Sequence, residues 1–321
     1  MTGMDYVYMV YQEKSFSKAA KKLFMTQPAL SAAVKKVEKD IGLPLFDRSH
    51  SPLRLTDAGQ AYIEAATKIF QIQKNMHRYI SDLAELESGN LIIGGTNFVT
   101  ACFLPRLIKR FNEQHPHINI SVIEASSAEL FSGLKEGSID LVIDSGEYNT
   151  KDFEALTFCT DKIMLAVPKA IAPAGEPAFS QQDIIAGKHL QNSAPFTTLQ
   201  SFQELPFLLL GKGNDMYRRT VTIFREASLT PHVRLYLNQL MTAYHMTAAG
   251  LGATFLTDTL IRMAAPNDQL NYYLLNHPLL EREIFIAMPH STYHTRALQA
   301  FWNSVAETKT CFTCNNNMSD Y

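Results

Sequence analysis

The sequence predicts an α/β protein in three parts: a small helical head with a β-wing, one long helix, and a body of two α/β lobes. Three observations carry this. Helical spacing with short breaks fills residues 1–57, and an unbroken apolar seam runs through 58–88. From residue 91, short apolar runs alternate with amphipathic stretches. A length of 321 residues asks for more than one folding unit. Hydrophobic residues make up 46% and charged residues 19%, a globular balance that excludes disorder and a disulfide mini-scaffold. No apolar run reaches the ~18 residues of a membrane span. The first residues lack a signal-peptide pattern, and four cysteines without framework spacing fit a reducing cytoplasm. Residues 1–60 hold nine Lys and Arg against six Asp and Glu, a balance of +3, which leaves −5 on the rest. A basic head on an acidic body suits an anionic partner at the head alone.

In the head, Tyr6, Val7, Val10 and Tyr11 share one helical face. Ser17 stands where it can cap a second helix over 18–23, with Ala19, Ala20 and Leu23 inward. Thr26 and Pro28 make a cap-then-proline start for a third helix over 27–39, with Leu30, Val34 and Val37 as its stripe and Gly42 beyond its end. Two short helices around a tight turn form the helix-turn-helix pattern. Its second helix enters the major groove of double-stranded DNA. Thr26, Gln27, Pro28 and Ser31 then face base edges, and the Gln27 carboxamide can pair with adenine through two atoms. Lys35 and Lys36, one turn later, suit phosphates. Arg48, Pro52 and Arg54 surround a turn that reads as a wing, with both arginines available to backbone or minor groove. Ser17 completes the DNA-facing set.

An Ala-rich pair of short helices produces similar spacing without binding DNA. The longer string separates the two readings. Residues 15–59 resemble the N-terminal domain of LysR-type transcriptional regulators. The matching positions are Ser15, Phe16, Ala19, Ala20, Leu23, Gln27, Pro28, Ala29, Leu30, Ser31, Glu38, Gly42, Leu45, Phe46, Arg48, Leu55, Thr56, Ala58 and Gly59. Two departures bear on which operator is read. Ala32 and Ala33 stand where that family often has a long polar or basic side chain, and Ser51, beside His50, stands where the wing often has a further basic one.

The seam is Ala58, Tyr62, Ala65, Ile69, Ile72, Met76, Tyr79, Leu83 and Leu86, with spacings alternating between four and three. A sustained heptad of this kind is a coiled-coil seam. At the helical rise, residues 58–88 span about 45 Å, more than one small domain covers. The expectation is a homodimer through this linker helix, and the resemblance implies the same, with tetramers common. Two paired heads then read an inverted repeat with half-sites about one helical turn, or a multiple of it, apart.

In the body, strands are expected over 91–94, 118–124, 139–144, 163–167, 207–210, 233–237, 253–256 and 284–288. Helices are expected over 98–114, 128–136, 216–227, 239–249 and 295–308. The alternation predicts parallel sheets with helices on both faces. Ligands in such folds sit beyond the carboxyl ends of strands. Four loops answer to that: Gly95-Thr96-Asn97-Phe98 with Thr100 nearby, Ser126-Ser127, Gly211-Lys212-Gly213-Asn214, and Gly250-Leu251-Gly252. Their hydroxyl and amide side chains serve equally as plain helix caps.

The resemblance extends more loosely here, through residues 91–94, Leu104-Pro105, Phe111, Pro116, Leu134, Gly137, Asp140-Leu141, Pro206-Phe207 and Gly250-Leu251-Gly252. It implies a periplasmic-binding-protein-like effector domain over 89–321, two lobes joined by two crossovers with a small-molecule effector between them. Ser127 carries over best, and Phe98 and Gly211-Lys212 less closely. Thr96, Asn97, Thr100 and Ser126 enter by loop position. The expected function is a cytoplasmic, sequence-specific transcriptional regulator modulated by that effector, not an enzyme, and without a cofactor. The other reading is a solute-binding protein or enzyme on the same two-lobed body, with the head used for oligomerisation. No catalytic constellation supports it. Asp140 and Asp144 make at most a minor carboxylate pair, and His290 with His294 and His115-Pro116-His117 read as loops. Cys102 and Cys159 read as core, and Cys311 with Cys314 as half a zinc site in a disordered tail.

Overall fold

The computed structural model describes residues 2–50, 52–84, 89–146, 148–149, 151–290 and 293–314. Ser51 and Leu86 lie outside the described residues, as do the side chains of Tyr79, Leu83, Cys311 and Cys314. The chain forms two compact units, Met1–Ser81 and Asp82–Tyr321.

The first unit comprises α1 (Gly3–Glu13), α2 (Phe16–Lys22), α3 (Gln27–Ile41), β1 (Phe46–Asp47), β2 (Arg54–Leu55) and most of α4 (Asp57–Ala84). The cap of α2 is Ser15, not Ser17. Ser15 has an extended backbone and accepts the Lys18 N–H at 3.4 Å, whereas Ser17 already lies inside the first turn. Thr26 caps α3 by accepting the Ala29 N–H at 3.4 Å, Pro28 stands in the first turn, and Gly42 ends the helix at φ +82°. Val7, Val10, Ala19, Ala20, Leu30, Val34, Leu45 and Ile63 close one core, each large side chain contributing about 1.5–3 kcal/mol. The strands β1 and β2 form the antiparallel wing, with Asp47 opposite Arg54. Gly59 lets α4 pass the wing root: a Cβ there would lie 2.0 Å from the Leu45 carbonyl oxygen.

The helix α4 has two apolar faces. Ile63 and Ala66 are buried, Phe70 meets the Tyr8 ring at 5.0 Å, and Ala58 and Tyr62 pack on the head core. The start of the seam therefore serves the head. Farther along, Ile69, Ile72, Met76 and Ile80 are 39%, 68%, 51% and 54% exposed, an uncovered stripe that takes in Ile80 as well.

The second unit has β3 (Gly89–Gly95), α5 (Asn97–Cys102), α6 (Leu104–Gln114), β4 (Ile118–Glu124), α7 (Ser127–Glu136), β5 (Leu141–Asp144) and β6 (Phe153–Pro168). Next come α8 (Gln181–Ile185), β7 (Pro206–Leu210), α9 (Asp215–Glu226), β8 (His232–Leu237), α10 (Leu240–Ala248), β9 (Thr254–Thr257), α11 (Asp258–Met263), β10 (Leu270–Tyr273), β11 (Glu281–Pro289) and α12 (Arg296–Cys314). The single helix expected over 98–114 is two. Pro105 opens α6, and a proline cannot sit inside a continuous helix without breaking its ladder.

The sheets are mixed rather than purely parallel. In the first lobe β3 pairs in parallel with β4 and β5, while β11 runs antiparallel to β5 and β6. The strand expected over 163–167 is the end of the 16-residue β6. Residues 153–162 of β6 pair with β11, and residues 163–168 pair with β9 and β10 in the second lobe. β6 is thus one crossover, and the return from β10 through residues 274–280 into β11 is the other. Each lobe keeps its own core, around Phe111, Phe158 and Phe301 in the first and Phe202, Phe207 and Tyr272 in the second. The helix α12 continues through Cys314, where the sequence reads as a disordered tail.

Candidate nucleic-acid interface and ligand cleft

The start of α3 presents Thr26, Gln27 and Pro28 to solvent, with Ser31 half-buried one turn on and Lys35 and Lys36 exposed beyond it. Arg48 joins the wing root to this surface. Its guanidinium donates to Ser31 Oγ at 3.2 Å and to Glu38 Oε2 at 3.0 Å, and its Cζ lies 4.8 Å from the centroid of the Phe16 ring. Glu38 Oε1 accepts the Leu45 N–H at 2.9 Å and the Phe46 N–H at 3.3 Å, so one carboxylate fixes both α3 and the wing. The Ser49 hydroxyl and N–H hold Asp47 below the usual carboxylate range, which orders the wing turn. Arg54 and Ser17 are exposed. This surface is a set of hydrogen-bonding groups at a helix start, flanked by cations, the chemistry that reads base edges and grips phosphates.

In the second unit, a cavity of about 340 Å³ lies between the lobes. Thr96, Asn97, Phe98, Ser126, Ser127, Gly211 and Lys212 line it. All come from the loops and helix starts that follow the carboxyl ends of β3, β4 and β7, as parallel α/β units dictate. Thr100 does not line it: its hydroxyl donates to Glu124 Oε2 at 2.8 Å, beside the Asn97 amide, which donates to Oε1 at 3.0 Å. The Ser126 hydroxyl is spent in a capping box with Glu129, whereas Ser127 has no such duty. Gly250-Leu251-Gly252 stands apart from the cavity. Gly252, at φ +156°, admits the Pro206 carbonyl within 2.5 Å of where a Cβ would be.

The Gly211-Lys212-Gly213-Asn214 loop lines the cavity throughout, but the sequence reading missed several other lining residues: Glu124, Ser145, Asp215, Asn238, Gln239 and Arg282. The register that brings Arg282 opposite Asp161 across β11 and β6 leaves no local motif. Arg282 is 7% exposed. It donates to Asp161 Oδ2 through Nη2 at 3.0 Å and Nε at 3.3 Å, and its Cζ lies 5.0 Å from the Phe98 ring centroid. Burial pushes the Asp161 carboxyl up, against the pull of Arg282, and neighbouring Asp258 pushes it further. Asp258, itself desolvated, is held low by hydrogen bonds and charge from His189 and Arg262, and it also accepts the Lys162 N–H at 2.9 Å.

A larger cavity of about 690 Å³ follows the second crossover. Most of its basic groups are paired: Lys162 with Glu281 at 3.2 Å, Arg218 and Arg219 with Asp215 at 3.0 and 2.6 Å, and His277 with Glu226 at 2.8 Å, while Arg282 borders both cavities. The smaller cavity gathers the strand-end loops and is the better ligand site. Asp144 is fully buried beneath its rim. Burial raises its pKa against the Ser127 hydroxyl and the Ser145 N–H nearby, neither of them in hydrogen-bonding geometry. Cys102 and Cys159 are buried free thiols in the first-lobe core, and burial pushes Cys102 up to about 12.

Residues 1–60 match the model of bacterial regulatory helix-turn-helix proteins of the lysR family, and residues 84–310 match the LysR substrate binding domain. An uncharacterized HTH-type transcriptional regulator of Bacillus subtilis, YcgK, is 26% identical over 298 residues, covering 93% of this chain and 91% of its own. A probable RuBisCO transcriptional regulator of Synechocystis is 26% identical over 299 residues, covering 92% and 82%. Among solved structures, CbnR, a LysR family transcriptional regulator, superposes with a TM-score of 0.60 at 18% identity over 96% of this chain and 98% of its own. A full-length OxyR variant from Pseudomonas aeruginosa gives 0.61 at 23% identity over 95% and 94%. Among the described residues no helix is long and apolar enough to cross a membrane. With one model over the head and another over most of the body, the chain belongs to the LysR family: it is a transcriptional regulator with a helix-turn-helix DNA-binding domain and an effector-binding domain, not an enzyme.

Proposed function

We propose that the chain divides its work among residues 1–57 for DNA binding, 58–88 for dimerisation and 89–321 for sensing, and that it acts in the cytoplasm. Gln27 reads bases, with Thr26, Pro28 and Ser31 beside it. Lys35, Lys36, Arg48 and Arg54 hold phosphates. A small molecule held by Phe98, Ser127, Gly211 and Lys212 favours one degree of lobe closure, and so changes how a dimer or tetramer grips its operator. A ligand does this only by binding one closure state better than the other. The observation that carries the reading is the exposed start of α3 with Arg48 fixed against Ser31 and Glu38, a preformed groove-reading surface. Solved relatives of similar fold include CbnR bound to its target DNA.

Selection from a random double-stranded library by the full-length protein tests it. The expected product is an inverted repeat with half-sites about 10 base pairs, or a multiple, apart. A library that emerges without an enriched sequence would refute DNA reading by this head.

A further inference from the structure

Arg282 and Ser145 both line the two cavities, so Arg282 stands where the crossovers pass between them. Its Nε and Nη2 are committed to Asp161, while Nη1 makes no hydrogen bond among the described residues. One face of the guanidinium lies toward the Phe98 ring, a wall of the cleft. The charged and titratable groups around it are Asp161 from β6, Asp144 from β5, Asp258 and Arg262 from α11, His189 from the segment after α8, and the buried thiols of Cys102 and Cys159. The two carboxylates compete for ionisation. Asp258 takes His189 and Arg262, while burial leaves Asp161 reluctant to ionise, at about 7. A buried guanidinium with an open edge and an aromatic face is a receptor for a planar anion.

We propose that Arg282 binds the carboxylate or comparable oxyanion of the effector in the cleft and that this draws its guanidinium away from Asp161. The inference rests on the reading of this cleft as the effector site and adds the ligand's chemical class. Arg282 and Asp161 sit on opposite crossover strands, so exchanging Asp161 for the ligand alters a buried ion pair that ties those strands together, next to the more exposed Lys162–Glu281 pair. Asp161, released, takes up a proton. Binding therefore tightens as pH falls.

The test uses full-length protein and calorimetric titration with pyruvate, malonate, 2-oxoglutarate, citrate, benzoate and inorganic phosphate, and with malonamide and benzamide as uncharged counterparts. At least one anion should bind saturably, its amide should not, and affinity should rise by up to about tenfold per unit as pH falls from 9 toward 7 and level off below that. Arg282→Gln should weaken that anion by tenfold or more. Asp161→Asn, which leaves the guanidinium in place, should strengthen it and flatten the pH dependence. The inference is overturned if no anion binds, if an amide binds equally well, or if both variants keep the wild-type affinity. A neutral compound that shifts operator affinity would overturn the anion while sparing the cleft. If no small molecule shifted operator affinity, the effector reading itself would fall.

Discussion

Glu38 ties Arg48 to the recognition helix. Its Oε2 lies 3.0 Å from Arg48 Nη2, while its Oε1 accepts the N–H groups of Leu45 and Phe46. One side chain thus satisfies two backbone donors at the wing root and aims the arginine. Glu38→Ala should lower head stability by about 1–3 kcal/mol, because those donors lose their partner. A thermal unfolding scan of the head transition reads this directly. Arg48→Ala keeps the two backbone bonds, so it should leave unfolding nearly unchanged and reduce the salt slope of DNA binding by about one.

Gln27 and Lys35 should separate specific from general affinity. Gln27→Ala removes a base reader and should cost about 1–3 kcal/mol on operator DNA, with little change on random DNA. Lys35→Ala removes a phosphate contact and should weaken both about equally. Anisotropy titrations on the two DNAs give the comparison. Equal losses for Gln27→Ala would remove it from the reading set.

The stripe of Ile69, Ile72, Met76 and Ile80 is uncovered in one chain, although Ile63 and Ala66 on the same helix are buried. Burying four such side chains between two copies is the favourable outcome in water. Ile72→Glu with Met76→Glu should halve the particle mass in sedimentation velocity while the folded content stays the same. An unchanged mass would place the dimer contact elsewhere.

Asp161 sets a pH dependence of stability. Its carboxyl is raised to about 7 by burial, so between about pH 4 and 7 the folded chain holds a proton that the unfolded chain has lost. Unfolding free energy then falls as pH rises through that window. Asp161→Asn should flatten the fall. Urea midpoints at pH 5 and 7.5 measure it, and parallel wild-type and variant curves would exclude Asp161 as its source.

The head was the most legible part of the sequence, because its signals are local. Thr26, Pro28 and Gly42 mark the ends of α3 through chemistry within a few residues. Ser15 and Ser17 show the limit: both are good caps, and only the backbone conformation picks Ser15. In the body, apolar runs located most strands but not their direction. β6 and β11 read as ordinary strands, and nothing near residue 161 announces a partner at residue 282. The cleft loops were found through strand-end position, whereas Arg282 was missed because cross-strand register is a long-range property. Thr100 follows the loop in sequence, but its hydroxyl turns to Glu124.

The central claim is that the exposed start of α3 reads DNA. Its most direct test is the affinity of the full-length protein for DNA upstream of its own gene, against random DNA of equal length, at several salt concentrations. The account predicts upstream binding tighter by about 10³-fold or more, with a steep salt slope and a footprint of paired half-sites. Equal affinity for the two DNAs at every salt concentration would contradict it.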